Sequence, residues 1–312
     1  PERRRVMNMS VAVLMGGWSS EREVSLVSGG AIVDALADTE FEVRAIDVQR
    51  DVAGLINKLT PAPDVVLNAL HGRYGEDGCI QGILECLGLK YTHSGVIASA
   101  LAMDKPMAKR LFESAGIPCA PHEIATRADF RAGNVMDKPF VIKPMNEGSS
   151  VGVTVVLEDS NLPSFDDSSW TFGERVMVEK YIPGRELTVA VMGDRALGVT
   201  EIRPVSGFYD YTAKYTDGKA EHLIPAPVPD EIYAAAMDYA VRAHNTLGCR
   251  GVSRADFRYD DSQGEPGELV LLEVNTQPGM TPLSLVPEQA AHAGINFSDL
   301  VRWMVENASC DG

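Results

Sequence analysis

The sequence Glu268-Leu-Val-Leu-Leu-Glu-Val-Asn-Thr-Gln-Pro-Gly-Met-Thr-Pro282 joins an apolar run directly to a polar turn. The run Leu269 to Val274 predicts a buried strand, which Gln-Pro-Gly ends because proline lacks an amide donor and glycine permits a sharp turn. Glu273 and Asn275 stand two residues apart, so their oxygens project from one face of that strand. A carboxylate there needs compensation, which a cation can supply. The alternative is a strand-end glutamate that reaches solvent.

A second polar pair occurs in the strand predicted at Gly251 to Tyr259. Arg254 and Asp256 are also two residues apart and share a face. If the two strands pair, the oxygens of Asp256, Glu273 and Asn275 meet on one surface, where they suit Mg²⁺ completed by phosphate and water. The alternative is a cross-strand arginine–carboxylate pair that needs no metal.

Composition limits the classes of protein to consider. A length of 312 residues predicts two or three domains, and 45% apolar with 23% charged residues is typical of a globular protein. The net charge of −16 argues against nucleic-acid and anionic-membrane partners. No apolar run is long enough for a membrane span, and five scattered cysteines without Cys-x-x-Cys indicate free thiols in a reducing cytoplasm. We expect residues 1–8 to be a disordered lead-in.

The first hundred residues predict a Rossmann-like parallel sheet. Apolar strands at Ser10–Met15, Phe41–Asp47 and Val65–Leu70 alternate with helical periodicity. Ser20 and Glu23 fit a capping box at the start of the first helix. Gly16-Gly17 is not the Gly-x-Gly-x-x-Gly dinucleotide fingerprint, which disfavours a dehydrogenase.

Candidate ligand-binding residues follow two of these strands. The loop His71-Gly-Arg-Tyr-Gly-Glu-Asp-Gly78 and Glu21 both lie where parallel strands end, the edge at which open α/β sheets bind ligands. Taken singly, His71 could lie in a solvated turn and Glu21 could complement a helix dipole.

The middle of the chain changes from parallel to antiparallel patterning. Ala98–Gly116 predicts one helix carrying Lys105, with a domain boundary near residue 103. Strands at Phe140–Pro144 and Thr154–Val156 then predict a hairpin, whose Glu147–Gly152 loop offers amides to an anion beside Lys143. The loop is not a Walker A motif, and such loops often only connect hairpins.

The last third predicts a second antiparallel region and a lid. Strands are predicted at Arg175–Ile182 and Glu186–Met192, separated by a boundary near residue 184. Residues 207–221 lack periodicity, which favours a mobile lid. Helices are predicted at Asp230–Leu247 and Asp299–Asn307. The domains are therefore 1–103, 104–184 and 185–312.

These features resemble the ATP-grasp fold and, within it, the D-alanine–D-alanine ligase family over nearly the whole chain. The resemblance rests on eight segments: GGWSSEREVSL (16–26), LHGRYGEDGCIQG (70–82), SGVIASALAMDK (94–105), VIKPMNEGSSVGV (141–153), VEKYIPGRELTV (178–189), FYDYTAKY (208–215), RADF (254–257) and LLEVNTQPGMTPLSLVP (271–287). It implies three domains that enclose ATP, two Mg²⁺ ions (with Mn²⁺ as a substitute) and two molecules of D-alanine.

The resemblance also implies roles for individual residues. The residues implied to bind ATP are Lys105, Lys143, Glu179, Ile182, Glu186, Phe208 and Lys214, with Lys214 reaching the γ-phosphate from the lid. Asp256, Glu273 and Asn275 would bind the metals. Glu21 would anchor the ammonium of the first D-alanine beside His71, in a network with Ser149 and Tyr215. Arg254 and the Gly279 amide would stabilise the oxyanion, and Ser284 and Leu285 would receive the second carboxylate.

The implied activity is ATP-dependent formation of D-alanyl-D-alanine for peptidoglycan synthesis, in a cytoplasmic homodimer. Tyr215 favours an amide product, since similar ester-forming relatives carry phenylalanine there. The alternatives are an ATP-grasp ligase that uses D-lactate or D-serine as second substrate, and a non-catalytic nucleotide-binding regulator. Two departures from the family pattern are the Pro163-containing segment 157–170, where a helix is usual, and Pro282 near the second substrate.

Overall fold

The computed structural model describes residues 9–146, 152–160, 162, 170, 173–204 and 220–311. Its strands are β1 (Ser10–Gly16), β2 (Glu42–Val48), β3 (Val65–Asn68), β4 (His122–Thr126), β5 (Phe140–Pro144), β6 (Thr154–Val156), β7 (Arg175–Lys180), β8 (Arg185–Met192), β9 (Arg195–Pro204), β10 (Ala220–Leu223), β11 (Val252–Asp260) and β12 (Glu268–Asn275). Its helices are α1 (Arg22–Leu36), α2 (Val52–Lys58), α3 (Cys79–Cys86), α4 (Val96–Met103), α5 (Lys105–Ser114), α6 (Arg127–Ala132), α7 (Asp230–Leu247), α8 (Leu285–His292) and α9 (Phe297–Glu306). The lead-in at 1–8, most of the 147–152 loop and nearly all of the 207–221 segment lie outside the described residues.

The chain divides into two compact units. The first contains residues 1–99, 249–253 and 276–312, and the second contains residues 100–248 and 254–275. Within the second unit, one sheet precedes residue 184 and the other follows it. The division into domains 1–103, 104–184 and 185–312 stays a prediction.

The first unit is built on a parallel sheet, as the sequence predicts. Its strand order is β2-β1-β3, with Val11 paired to both Val43 and Val65. Helices α1 and α9 pack together in this unit, and α9 also contacts β3. β1 and β3 are almost entirely buried, which is why they read as continuous apolar runs rather than alternating ones.

The last residues of the chain are tied to the first unit. Ser309 bridges to Tyr91, and the Asp311 carboxylate accepts hydrogen bonds from the Val96 amide (2.9 Å) and from Arg250 Nε (3.4 Å). The Arg250 guanidinium also lies over the Tyr91 ring, 4.5 Å from its centroid. Ser309 and Asp311 therefore pack within the same unit as the parallel sheet.

Two helix predictions are wrong in detail. Glu21, not Ser20, occupies the N-cap position of α1, and no side chain caps that helix, so the predicted capping box is absent. The helix predicted from Ala98 to Gly116 is two helices that break at Asp104. The Asp104 carboxylate accepts a hydrogen bond from the Met107 amide, so this residue caps α5 and ends the preceding helix.

The second unit contains two antiparallel sheets. One has the order β4-β7-β5-β6, and pairing of Phe140 with Val156 confirms the predicted hairpin. The other has the order β10-β9-β8-β11-β12, with α7 packed on β8, β9 and β12. The sequence did not predict β9, whose run Arg195–Pro204 includes Gly198 and polar residues in its buried part. The predicted mixed fold, a parallel sheet followed by antiparallel ones, is confirmed.

The pairing of β11 with β12 is the predicted one. Asp256 lies opposite Glu273 and Arg254 opposite Asn275, with a shift in register after Asp256. Residues directly opposite in an antiparallel pair share a face of the sheet, so the four polar side chains lie on one surface.

The cysteines and the helices agree with the remaining fold predictions. All five cysteines are free thiols. Among the described residues, no helix is both long and apolar enough to cross a membrane.

Gly184, in the turn between β7 and β8, predicts a strong effect of one added methyl group. Its φ is +86°, and a Cβ there would overlap the Tyr259 carbonyl oxygen. We expect Gly184→Ala to lower the free energy of unfolding by about 2–4 kcal/mol, from left-handed strain plus overpacking. Gly248→Ala is the matched control, because Gly248 has φ +73° and open space around it, and it should cost only about 1 kcal/mol. Equal losses in denaturant titrations of the two variants would contradict the overlap.

Candidate active site

In the first unit, Glu21 lies against the loop that follows β3. Its side chain is buried, and a Cβ on Gly72 would lie 2.9 Å from Glu21 Oε1. The Ser19 hydroxyl donates to the His71 carbonyl oxygen (2.7 Å) and accepts from the Glu21 amide (3.2 Å). The expected position of Glu21 and His71 at one edge of the sheet is confirmed. Gly72 also has φ +68°, a backbone conformation that favours glycine.

His71 is the centre of a buried hydrogen-bonded chain. Its Nδ1 lies 3.2 Å from Glu76 Oε1 and its Nε2 lies 3.3 Å from Ser28 Oγ. Ser28 Oγ accepts a hydrogen bond from the Met280 amide at 3.3 Å. Both ring contacts are satisfied when Nδ1–H donates to Glu76 and the Ser28 hydroxyl donates to Nε2.

The turn after β12 brings Gly279 and Ser284 together. A Cβ on Gly279 would lie 2.9 Å from Ser284 Oγ, so a larger residue here would require the Ser284 hydroxyl to move. Ser284 Oγ accepts from the Thr281 amide at 2.9 Å, and Ser284 is the N-cap residue of α8. Leu285 follows it and is buried. The Thr281 amide, two residues after Gly279, is therefore fixed by a side chain of the same turn.

In the second unit, Arg254 and Asp256 form a two-pronged ion pair along β11. Arg254 Nε and Nη2 donate to the two carboxylate oxygens of Asp256 at 2.8 and 2.7 Å. The Thr188 hydroxyl donates to Asp256 Oδ1 at 2.6 Å. The sequence analysis gave a cross-strand arginine–carboxylate pair as the alternative to a metal site. The structure contains such an ion pair, but both of its residues lie on β11.

Glu273 is partly exposed and lies near a lysine. Its Oε2 is 3.6 Å from Lys105 Nζ, at the first residue of α5. The donor set of Asp256, Glu273 and Asn275 is chemically suited to Mg²⁺, and the strand register places it on one face. The part of the chain that the structure describes holds no group of three or more His, Cys, Asp or Glu residues arranged around a metal position. The metal assignment stays a prediction.

Glu179 on β7 is paired with two lysines in a buried cluster. Lys143 Nζ lies 2.5 Å from Glu179 Oε2, and Lys109 Nζ lies 2.6 Å from Oε1. Burial raises the pKa of Glu179, but the two ammonium groups outweigh it, and the pKa lies below its usual value. Burial likewise lowers the pKa of Lys143, and Glu179 with other carboxylates reverses that effect and raises it. Glu179 and Lys143 are therefore both ionised at neutral pH.

Arg258 links Ile182 and Glu186, two of the residues expected to bind ATP. Arg258 Nε donates to the Ile182 carbonyl oxygen at 3.1 Å, and Arg258 Nη1 lies 3.7 Å from Glu186 Oε2. Ile182 itself packs with Ala120 and Val270. The turn between β7 and β8 is thereby fixed to β11.

Four predicted site residues lie outside the described residues, namely Ser149, Phe208, Lys214 and Tyr215. Their roles stay predictions, as do the individual catalytic and binding roles of the residues placed above.

The sequence analysis missed three residues that contact the site: Lys109, Thr188 and Arg258. Arg258 continues the two-residue spacing of Arg254 and Asp256 along β11, and that alternation was the signal available for it. Lys109 stands four residues after Lys105, on the same helix, but nothing local shows that its side chain reaches Glu179.

The sequence matches known ligases over almost its full length. Residues 53–94 match the family model for the D-ala D-ala ligase N-terminus, and residues 111–306 match the one for the C-terminus. The chain is 58% identical over 306 residues to a D-alanine–D-alanine ligase of Rhodospirillum rubrum, which covers 98% of this chain and 100% of that protein. It is 57% identical to one from Agrobacterium fabrum, covering 96% and 98%.

Solved structures give the same result for the fold. A D-alanine–D-alanine ligase from Bacillus anthracis complexed with ATP superposes with a TM-score of 0.81 at 33% identity, covering 96% of each chain. A D-Ala:D-Ser ligase from Enterococcus faecalis superposes with a TM-score of 0.79 at 32% identity, covering 96% of this chain and 99% of that one.

The buried cluster predicts that Lys109 is required for stability. Lys109→Met leaves Glu179 with one cation instead of two, so we expect a loss of about 3–5 kcal/mol in the free energy of unfolding. Arg302→Met removes one side of the exposed Arg302–Glu40 pair and is the control, for which we expect little change in chemical denaturation.

The pH dependence of stability tests the same cluster. Because the pKa of Glu179 is lowered on folding, its contribution is present above the usual carboxyl pKa and is lost as pH falls through the folded value. Lys109→Met should raise that folded pKa and so narrow the interval between the folded and unfolded values, so stability should fall less with acid, and the fall should end at higher pH, than in the unsubstituted protein. An unchanged acid limb would contradict the pairing of Lys109 with Glu179.

Proposed function

The chain belongs to the D-alanine–D-alanine ligase family, and we propose that it joins two molecules of D-alanine into D-alanyl-D-alanine, a precursor of peptidoglycan. One ATP is converted to ADP and phosphate for each dipeptide formed. Beyond family membership, the observation that carries the proposal is the polar face of the β11–β12 pair, where Glu273 approaches Lys105.

ATP would bind to residues of the second unit. Lys105 and Lys143 supply positive charge for the phosphates, and Glu179, Ile182 and Glu186 lie on the strands and turn expected to contact the nucleoside. Phe208 and Lys214 would add to this set from outside the described residues. Asp256, Glu273 and Asn275 would hold Mg²⁺, which when bound neutralises phosphate charge and orients the γ-phosphoryl group.

The first step activates a carboxylate. A carboxylate oxygen of the first D-alanine attacks the γ-phosphorus of ATP, the bond to the β-phosphate oxygen breaks, and ADP leaves an acyl phosphate behind. Glu21 would bind the ammonium of this D-alanine, since it is a buried carboxylate beside the His71 loop. We include in this proposal the network in which Ser149 and Tyr215 would join Glu21.

The second step forms the peptide bond. The neutral amine of the second D-alanine attacks the acyl carbon and negative charge develops on the carbonyl oxygen. The bond from the acyl carbon to the phosphate oxygen then breaks, and the proton lost by the nitrogen leaves with the phosphate. Arg254 and the Gly279 amide would stabilise this oxyanion, and Ser284 and Leu285 would receive the second carboxylate. The Asp256 carboxylate keeps the Arg254 guanidinium in one orientation through two hydrogen bonds, so the donor is preorganised.

A different second substrate is the nearest alternative, because a D-Ala:D-Ser ligase shares the fold at 32% identity. D-Lactate would give an ester instead of an amide. We further propose a cytoplasmic homodimer with two Mg²⁺ ions per site, as the family resemblance implies.

Substrate dependence tests the function directly. We expect phosphate release from ATP to require D-alanine and Mg²⁺ (or Mn²⁺), and to yield one dipeptide per phosphate in a coupled assay with product analysis. L-Alanine should give no turnover, and D-serine or D-lactate offered with D-alanine should give less mixed product than D-alanine alone. ATP binding without D-alanine-stimulated turnover would overturn the proposal in favour of a nucleotide-binding regulator.

Glu273→Gln tests the proposed metal ligand, because it removes charge with little change in shape. We expect kcat to fall on the order of 100-fold or more, with the melting temperature preserved. Glu268→Gln is the control, since Glu268 is exposed at the other end of the same strand and should leave kcat unchanged. Near-normal turnover by Glu273→Gln would show that Glu273 is not a ligand.

A further inference from the structure

A buried pair of amide side chains connects β3 to the turn that carries Gly279. Asn68 is the last residue of β3, Gln277 lies two residues before Gly279, and both are at most 1% exposed. We propose that Asn68 and Gln277 are positioning residues, which set the placement of the Gly279 amide for the bond-forming step. The inference rests on the proposed function, in which that amide stabilises the oxyanion.

Hydrogen bonds connect the two side chains to each other and to the backbone of the loop after β3. Asn68 Nδ2 donates to Gln277 Oε1 at 2.7 Å and to the Gly75 carbonyl oxygen at 3.1 Å. Asn68 Oδ1 accepts from the Leu70 amide at 3.2 Å, and Gln277 Nε2 donates to the Leu70 carbonyl oxygen. The turn is therefore attached to the residues just before His71.

Only one orientation of each amide satisfies these contacts. Rotating Asn68 by half a turn would place its oxygen against the Gly75 carbonyl, and rotating Gln277 would place its oxygen against the Leu70 carbonyl. Each rotation would join two acceptors in a buried site, where an unsatisfied polar group is unfavourable. The pair consequently has one geometry.

A second attachment lies on the other side of Gly279. The Met280 amide donates to Ser28 Oγ, which also contacts His71 Nε2. Gly279 is thus held between a side-chain anchor at Gln277 and a backbone anchor at Met280. Both anchors lead back to the strand end and loop that carry His71.

Pro278 restricts the backbone between Gln277 and Gly279, so the position of Gln277 also determines that of Gly279. Its ring fixes φ near −65°, so the backbone between Gln277 and Gly279 has little freedom to absorb a displacement. An oxyanion donor acts only when it is placed within a few tenths of an ångström of its target position. Loss of the Gln277 anchor should therefore displace the amide without unfolding the unit.

The test compares two buried glutamines. Gln277→Met removes the anchor with little change in size. Gln81→Met is the matched control, because Gln81 is also 1% exposed and donates to the Gly75 carbonyl (2.9 Å) in the same network, through α3 rather than through the turn. Both variants should lower the melting temperature by similar amounts.

Kinetics separate positioning from stability. We expect kcat of Gln277→Met to fall on the order of 10-fold to 100-fold, with the KM for ATP nearly unchanged, while Gln81→Met keeps kcat within about two-fold. Equal kcat values for the two variants would overturn the inference. If the unsubstituted chain shows no D-alanine-dependent turnover, that result overturns the proposed function itself, whatever the variants show.

A step-specific measurement gives a readout that a purely structural role would not move. If bond formation alone slows, the acyl phosphate persists and returns to ATP more often. Positional isotope exchange in ATP labelled at the β–γ bridging oxygen should then rise relative to turnover in Gln277→Met. Exchange that falls in proportion to kcat would place the defect in phosphoryl transfer and contradict the proposal.

The partner residue gives an independent check. Asn68→Leu combined with Gln277→Met should lower kcat by no more than about two-fold beyond Gln277→Met alone, since coupled residues are not additive. Should Gln277→Met fail to fold, Gln277→Asn keeps the polarity but is one methylene shorter, and the same loss of kcat is expected. Multiplicative losses in the double variant, or normal kcat in Gln277→Asn, would overturn the pairing.

Discussion

The antiparallel register of β11 and β12 is the constraint on which the rest of the second unit's polar surface depends. Asp256 faces Glu273 and Arg254 faces Asn275 only in this register. A slip of one residue would turn every side chain of one strand to the opposite face and bury the charges in the apolar layer that contains Phe257 and Val274. The apolar residues that alternate with the charged ones therefore determine where the charged ones lie.

Charge balance explains why these strands tolerate so many ionisable groups. Arg254 occupies both oxygens of Asp256, and Glu179 is bound by two lysines. Each buried charge has a partner in the same unit, which is the condition for keeping it ionised away from water. A nucleotide and a metal would enter a region that is already neutralised, so binding would exchange partners rather than introduce unpaired charge.

Local patterns predicted the elements, and long-range contacts account for what they missed. The apolar runs and turns predicted the parallel sheet, the hairpin and α7, because periodicity is a local property of the sequence. The two-residue spacing likewise indicated that Arg254 and Asp256 share a face, as do Glu273 and Asn275, and that all four meet if the strands pair. The break at Asp104 was missed although the sequence carries a signal for it, because Pro106 fits the first turn of a helix but not a helix interior, and Asp104 can cap that first turn. Lys109 and Gln277 could not be assigned, since Glu179 and Asn68 are distant in sequence and only the fold brings them near. Many individual roles could be suggested only by family resemblance.

The first unit is assembled from both ends of the chain, and this has a consequence for synthesis on the ribosome. Residues 100–248 emerge as one continuous segment, whereas α9 and the segment that pairs with Tyr91 are made after it. Strand β3 and helix α1 must therefore wait, with the apolar surface that α9 will cover still exposed, until α9 has been translated. The second unit can begin to fold during that interval, and the amide pair between Asn68 and Gln277 can form only after most of the chain has left the ribosome.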